Sequence, residues 1–195
     1  TLVGPFDPAV TTGVAGTTAF TGRAISEILV HPTDPATIFV STFTGTSGNP
    51  SGGSVGFTVP PLGMLGLYRS TNATSASPSF TKLTVTAANS IPPDTSGNRS
   101  ISDVVMDPND PNVVVAWVLG AAAVGDGGLY RTTNALAATP SFAPLVAAAT
   151  ANARGELAAV HAAGVTTMYA AIGDSNGRVR KSTDGGATWS GYLSG

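Results

Sequence analysis

None of the 195 residues is cysteine. Disulfides and thiolate metal sites are therefore excluded, and the redox compartment stays undecided. Charge is also scarce. Asp, Glu, Lys and Arg make up 10% of the chain, against roughly 25% in an ordinary soluble protein. Nine Lys and Arg against eleven Asp and Glu leave a net charge of −2, with no arginine-rich run and no basic patch interleaved with aromatics. A nucleic-acid partner needs such a basic field, so that class is not expected. Long hydrophobic runs are missing too. The longest, Val113 to Val124, is broken by Gly120 and falls short of the roughly 20 residues that a membrane-spanning helix needs. It reads as a buried inner strand running into a loop.

Glycine (24) and proline (14) are plentiful, as many tight turns require. A hydrophobic content of 42% suffices for a core, so the chain is not a disordered tract. A composition rich in Thr, Ser, Gly and Ala and poor in Lys, in a chain starting at Thr1, fits an exported or cell-surface prokaryotic protein or an excised domain. Extracellular or cell-surface location is the expectation. Asn72-Ala73-Thr74 and Asn98-Arg99-Ser100 match the glycosylation sequon.

Internal repetition decides the architecture. Ser182-Thr183-Asp184-Gly185-Gly186-Ala187-Thr188-Trp189 reads Ser-x-Asp-x-Gly-x-x-Trp. Degenerate copies lie upstream: Gly66-Leu67-Tyr68-Arg69-Ser70-Thr71-Asn72 leading to Phe80, and Gly128-Leu129-Tyr130-Arg131-Thr132-Thr133-Asn134 leading to Phe142. Each is a short alternating strand, a polar turn, and an aromatic that opens the next strand. The hydroxyl and the Asp or Asn side chain can bond backbone N–H groups inside the turn. Gly185 and Gly186 supply positive φ, and Trp189 re-enters as an apolar plug between sheets.

A second element repeats with it. Arg23-Ala24-Ile25-Ser26-Glu27-Ile28-Leu29-Val30-His31-Pro32-Thr33-Asp34-Pro35 has its counterpart in Arg99-Ser100-Ile101-Ser102-Asp103-Val104-Val105-Met106-Asp107-Pro108-Asn109-Asp110-Pro111. A looser copy runs from Arg154 to His161. Strand, Pro/Asp turn, strand, loop, strand, polar turn, strand: each unit reads as a four-stranded antiparallel meander.

These motifs resemble the Asp-box, or bacterial neuraminidase repeat, of β-propellers such as sialidases, sortilin-type receptors and xyloglucanases. The resemblance runs from about Gly22 onwards and implies an all-β fold. Three four-stranded antiparallel blades, at about Thr18–Val85, Arg99–Ala148 and Arg154–Gly195, would form part of a β-propeller, with residues 1–17 a lead-in strand. It also implies that Ser182, Asp184, Gly186 and Trp189, with Asn72, Phe80, Asn134 and Phe142, are structural and remote from any active site. A closed propeller needs four or more blades. The partners expected are therefore the remaining blades of a longer propeller, a second chain, or a capping protein, the first being favoured.

In such a blade the Pro/Asp turns and polar turns share one face. The irregular connections share the other: Thr44–Gly63, Gly120–Gly127, Gly173–Gly177, Thr86–Asn98 and Ala147–Ala153. Variable loops on a rigid scaffold are the usual seat of binding. Arg23, Arg99 and Arg154 open the first strand of their units on that loop-rich face, with Glu27 and Asp103 just below. Three guanidiniums around a channel mouth would hold a carboxylate, sulfate or phosphate, as sialidase arginines do. The alternative is that they pair with Glu27, Asp103 and Glu156 as structural staples. The sialidase Phe/Tyr-Arg-Ile-Pro segment and a Tyr/Glu nucleophile pair are absent.

Glycoside hydrolysis needs two facing carboxyl groups. Glu27, Asp103, Asp94, Asp126, Asp174 and Glu156 are candidates, none in a matching motif, so no catalytic residue is assigned. His31, Asp107 and His161 look like one repeat position at the end of the first strand, with a turn-capping role. No Asp-x-Asp-x-Asp-Gly loop supports calcium, and Gly125-Asp126-Gly127-Gly128 lacks the Lys-Ser/Thr of a phosphate loop. No metal and no cofactor are expected. The function expected is a secreted recognition or scaffold module binding a glycan or protein through its loop-rich face. The alternatives are a fragment of a sialidase- or xyloglucanase-type glycoside hydrolase and a structural subunit of an extracellular assembly.

Overall fold

A computed structural model of the chain describes residues 20, 23–44, 65–83, 100–119, 127–147, 153–173 and 177–193. These hold eleven strands and, among the described residues, no helix. The first sheet comprises β1 (Arg23–Val30), β2 (Ile38–Thr44), β3 (Leu67–Ser70) and β4 (Thr81–Lys82). The second comprises β5 (Ile101–Met106), β6 (Val114–Val118), β7 (Gly128–Thr132) and β8 (Ala143–Ala147). The third comprises β9 (Arg154–Ala162), β10 (Val165–Gly173) and β11 (Arg178–Ser182). All pairings are antiparallel between strands consecutive in sequence. Pro144 stands in the edge strand β8, where a missing N–H is tolerated.

The expectation of four strands per unit fails in the third sheet. Its outer edge is met instead by two isolated backbone bonds: Ser190 N–H donates to the Lys181 carbonyl and Leu193 N–H to the Val179 carbonyl, each at 2.8 Å. Three residues on one side span what two span on β11, so a regular ladder cannot continue.

The middle sheet is buried on both faces, which explains the unbroken apolar sequence of β6, Val-Val-Ala-Trp-Val, all buried. On one face Ile101, Val104, Val114, Ala116 and Val118 pack with Leu29, Phe39 and Leu67 of the first sheet. On the other, Val115, Trp117 and Leu129 pack with Met168, Ala170 and Ile172 of the third. Gly155 lets β9 come close to the Trp117 ring, because a β-carbon there would lie 2.2 Å from Cδ2. The indole Nε1–H donates to the Ala153 carbonyl at 2.7 Å.

Register makes the three sheets equivalent residue by residue. Ile38, Val114 and Met168 pair respectively with Ser70, Thr132 and Ser182, the hydroxyl residues that open the polar turns. Counting from those anchors, Glu27, Asp103 and Glu156 occupy one position of the first strand, opposite Ser41, Trp117 and Ala171. Ser26 and Ser102 are the extra residues of β-bulges in β1 and β5, whereas β9 pairs without a shift. Both bulged serines reach the neighbouring sheet. Ser26 Oγ donates to the Ile101 carbonyl at 2.6 Å, and Ser102 Oγ to the Gly155 carbonyl at 2.9 Å.

The sheets do not stack in parallel. Face-to-face sheets lie about 10 Å apart, which would separate the first from the third by about 20 Å. Instead the Arg154 guanidinium sits 4.7 Å from the centroid of the Phe43 ring. The first strands also jointly line an apolar groove of about 320 Å³, formed by Leu29 and Val30, Val105 and Met106, and Ala159. The sheets therefore converge on their first strands.

Candidate functional site

The two ends of the sheets differ in kind. At one end lie the β1–β2 and β3–β4 turns and their counterparts, bonded to each other by backbone. Ala73 N–H donates to the Ala36 carbonyl at 2.8 Å, Ala135 N–H to Asn112 at 3.0 Å, and Gly185 N–H to Thr166 at 3.2 Å. Inside each turn an Asp or Asn Oδ1 collects bonds from both flanks. Asn72 Oδ1 accepts from the Ser70 hydroxyl at 3.1 Å and from Ser79 N–H at 2.9 Å. Asn134 Oδ1 accepts from the Thr132 hydroxyl at 2.7 Å and Ser141 N–H at 3.0 Å. Asp184 Oδ1 accepts from the Ser182 hydroxyl at 2.7 Å and Thr188 N–H at 2.9 Å.

Burial by itself would raise the Asp184 carboxyl. The bonds from Thr188, Ser182 and Ala187 outweigh it and hold the group at about 2. Gly186 has φ 78°, and a β-carbon there would lie 2.8 Å from Val115 Cγ2. Both conformation and space require glycine. The aromatics that follow face the core: Phe80 joins Val40 and Tyr68 on the first sheet, Phe142 the contact of first and second sheets, and Trp189 that of second and third.

Two arginines tie these turns across sheets. Arg69 Nη1 donates to the Ala135 and Ala137 carbonyls at 2.6 and 2.7 Å, and Arg131 Nε to the Gly185 carbonyl at 2.9 Å. Ala135 and Gly185 are equivalent turn positions, as are Arg69 and Arg131 on their strands. Sequence reading left both arginines unassigned, although their recurrence in Leu-Tyr-Arg-Ser/Thr-Thr-Asn is the signal that points to them.

At the same end, Thr166 Oγ1 donates to Asp107 Oδ1 at 2.7 Å and lies 2.8 Å from His161 Nδ1. The Thr166 proton is committed to the carboxylate, so the hydroxyl accepts from the imidazole. A nucleophile would need the reverse, so this Thr–His–Asp chain is a clasp between second and third sheets. His161 is not in the register position of His31 and Asp107. Val160 is, because β9 and β10 extend as a longer hairpin. The His31 ring caps its own turn, Nδ1 accepting from Asp34 N–H at 3.1 Å.

The opposite end receives every connection between β2 and β3, β4 and β5, and their counterparts. Most of each of the five loops singled out from sequence, with Asp94, Asp126 and Asp174, lies outside the described residues. Arg99 does too. The other two arginines are not brought together. Arg23 pairs with Thr44, but Arg154 pairs with Gly173, the counterpart of Phe43. Arg154 therefore stands one register position off, which turns its side chain to the other face. Arg23 lies on the outer face of the first sheet, where its charge interacts with Tyr68. Arg154 stacks on Phe43. Arg23 and Arg154 thus stand on opposite faces of their strands because β9 lacks the bulge, and the third member of the expected anion-binding trio, Arg99, lies outside the described residues.

What does converge there is acidic. Asp103 is 6% exposed. Its Oδ1 accepts from Val104 N–H at 2.8 Å, and its Oδ2 from Leu157 N–H of the third sheet. Burial pushes its carboxyl up to about 6, with the charges of Glu156 and Glu27 adding to the rise against the two backbone bonds. Glu156 is exposed and Glu27 half-buried. No group of three His, Cys, Asp or Glu among the described residues is arranged to hold a metal ion. The arrangement offers hydrogen-bond acceptors to hydroxyl or amino groups.

No helix among the described residues is long and apolar enough to cross a membrane. No family model matches the chain, and no curated protein matches it.

Proposed function

We propose that the chain is a secreted or cell-surface recognition module of Asp-box β-propeller type, which binds a glycan or protein through its loop-bearing end. The observation that carries this reading is the division of labour between the ends. One is tied by short turns, an Asx oxygen in each and arginines across sheets. The other carries every variable connection beside Glu27, Asp103 and Glu156. Convergence of the sheets on their first strands, and three equivalent polar turns, support the propeller part of the reading. The acceptor-rich loop end favours a neutral or amino-bearing glycan over the anion that an arginine trio would hold.

The test is an immobilised glycan array probed with the purified chain. Concentration-dependent binding to a related set of hydroxyl- or amino-rich glycans is the expected result. Binding confined to sulfated or sialylated glycans contradicts the acidic site.

A second reading, a glycoside hydrolase fragment, rests on the raised Asp103 carboxyl beside two other carboxylates, the asymmetry that general-acid catalysis uses. Both Asp103 oxygens are bonded to backbone N–H groups, which favours a structural role. Glycan hydrolysis that disappears in Asp103→Asn while binding persists would promote this reading.

A further inference from the structure

The contact between sheets is built twice in the chain, and each time from the same parts. An arginine on the third strand of one sheet donates to the residue that follows the Asn or Asp of the polar turn in the next: Arg69 to Ala135, then Arg131 to Gly185. The third member of the donor set is Lys181, which pairs with Tyr169 as Arg131 pairs with Val115. Its Nζ lies 5.9 Å from the centroid of the Tyr169 ring, on the face of the third sheet turned away from the second, where, among the described residues, Arg154 alone reaches the first sheet, at Phe43. The third member of the acceptor set is the Ala73 carbonyl, which takes no side-chain donor among the described residues. A donor is left over at one flank and its acceptor at the other.

The apolar surface is left over in the same complementary way. Ile25, Ile28 and Val30 of β1 are 42%, 53% and 56% exposed. Their equivalents in the second sheet, Ile101, Val104 and Met106, are 0%, 0% and 8% exposed because the first sheet covers them. At the other flank Val160 and Tyr169 are 51% and 38% exposed, whereas Val115, the equivalent of Tyr169, is fully buried. Phe20 already sits on the outer part of the first flank, with its ring edge-on to Tyr68 and Phe80 at 5.3 and 5.1 Å. The approaching outer strand carries Val179 where the covered sheets carry Leu67 and Leu129, a smaller side chain that leaves room for that ring. Large exposed apolar stripes of this kind mark interaction surfaces.

We infer that the unpartnered face of the third sheet docks on the unpartnered face of the first sheet of a second copy of this chain. This head-to-tail junction repeats the internal contact and places Lys181 Nζ on the partner copy's turn. It is heterologous: two different surfaces meet, so chains can close into a ring or add further copies. It depends on the repeat geometry and on no ligand, so glycan binding and self-association fail separately.

The test is sedimentation and light scattering of the purified chain and two surface variants, Ile28→Glu and Val160→Glu, with circular dichroism to verify folding. Wild type should exceed the 19.3 kDa of one chain by a factor of two or more, with each variant alone at 19.3 kDa. Mixing the variants should restore a species of twice that mass, since one supplies an intact third-sheet face and the other an intact first-sheet face. Lys181→Glu, a milder change, should weaken association at least tenfold in its dissociation constant. A wild type that stays at 19.3 kDa at its highest soluble concentration overturns the inference, and assigns both faces to some other occupant. So does a single variant that still dimerises alone, because that requires a like-to-like contact.

Discussion

Ser102 in β5 and Gly155 in β9 are bonded to each other twice across the boundary of the second and third sheets. The hydroxyl donates to the Gly155 carbonyl at 2.9 Å, and Gly155 N–H donates back to the hydroxyl at 3.1 Å. All of these groups are buried, so Ser102→Ala leaves a backbone donor and acceptor unsatisfied. It should cost about 1–3 kcal/mol in chemical unfolding. Ser26→Ala removes bonds to the Ile101 carbonyl and the Ser41 hydroxyl at a part-buried site, but it orphans no backbone N–H and should cost about 0.5–1.5 kcal/mol. An equal effect of the two would contradict this ranking.

The polar turns make a contrast available at Asp184. Asn serves at the equivalent positions 72 and 134, where Oδ1 alone takes the bonds from both flanks. Asp184→Asn should therefore be mild at neutral pH, within about 1 kcal/mol, whereas Asp184→Ala strips the buried Ser182 hydroxyl of its acceptor and should cost about 1–3 kcal/mol. Thermal unfolding of both variants ranks them. In wild type the carboxyl lies at about 2, below its ordinary 3.8. Its contribution is present above pH 4 and lost as pH falls through 2.

Asp103 has the opposite sign. Its carboxyl is raised from 3.8 to about 6 by burial and by Glu156 and Glu27, so folding favours the protonated form. The stabilisation it brings is complete below about pH 4 and lost as pH rises through 6. The unfolding free energy of wild type relative to Asp103→Asn should fall across that window and be flat outside it. A flat difference from pH 4 to 7 would contradict the raised carboxyl.

The β9–β10 hairpin turns on Ala163 and Gly164, with φ of 51° and 76°. Two positive φ values mark a type I′ turn, for which Asn-Gly is the favoured pair. Ala163→Asn should stabilise the chain by about 0.5–1 kcal/mol, read as a higher unfolding midpoint. No gain would mean that the turn has a different form in solution.

Much of the three-sheet organisation is legible in sequence because it rests on local signals. Alternation gives the strands, the unbroken Val-Val-Ala-Trp-Val gives a strand buried on both faces, and Ser/Thr-x-Asp/Asn gives the turns. What sequence missed involves register. Aligning Arg154 with Arg23 matches identity but ignores the bulge residue that β9 lacks, and one position of slip reverses the face. The same correction brings Glu156 level with Glu27 and Asp103, and moves His161 away from His31 and Asp107. The fourth strand of the last unit failed for a similar reason, since residue type alone did not reveal the uneven spacing of Ser190 and Leu193 against β11.

The most direct test of a binding end opposed to a structural end is calorimetric titration of the best glycan from the array. Three proteins are compared: wild type, the double variant Glu27→Gln with Glu156→Gln, and Asp110→Asn in the β5–β6 turn. The double variant should bind at least about tenfold more weakly, a loss of about 1.4 kcal/mol, while Asp110→Asn binds as wild type does. Weaker binding by Asp110→Asn with the double variant unaffected would place the ligand at the turn end and contradict the proposed site.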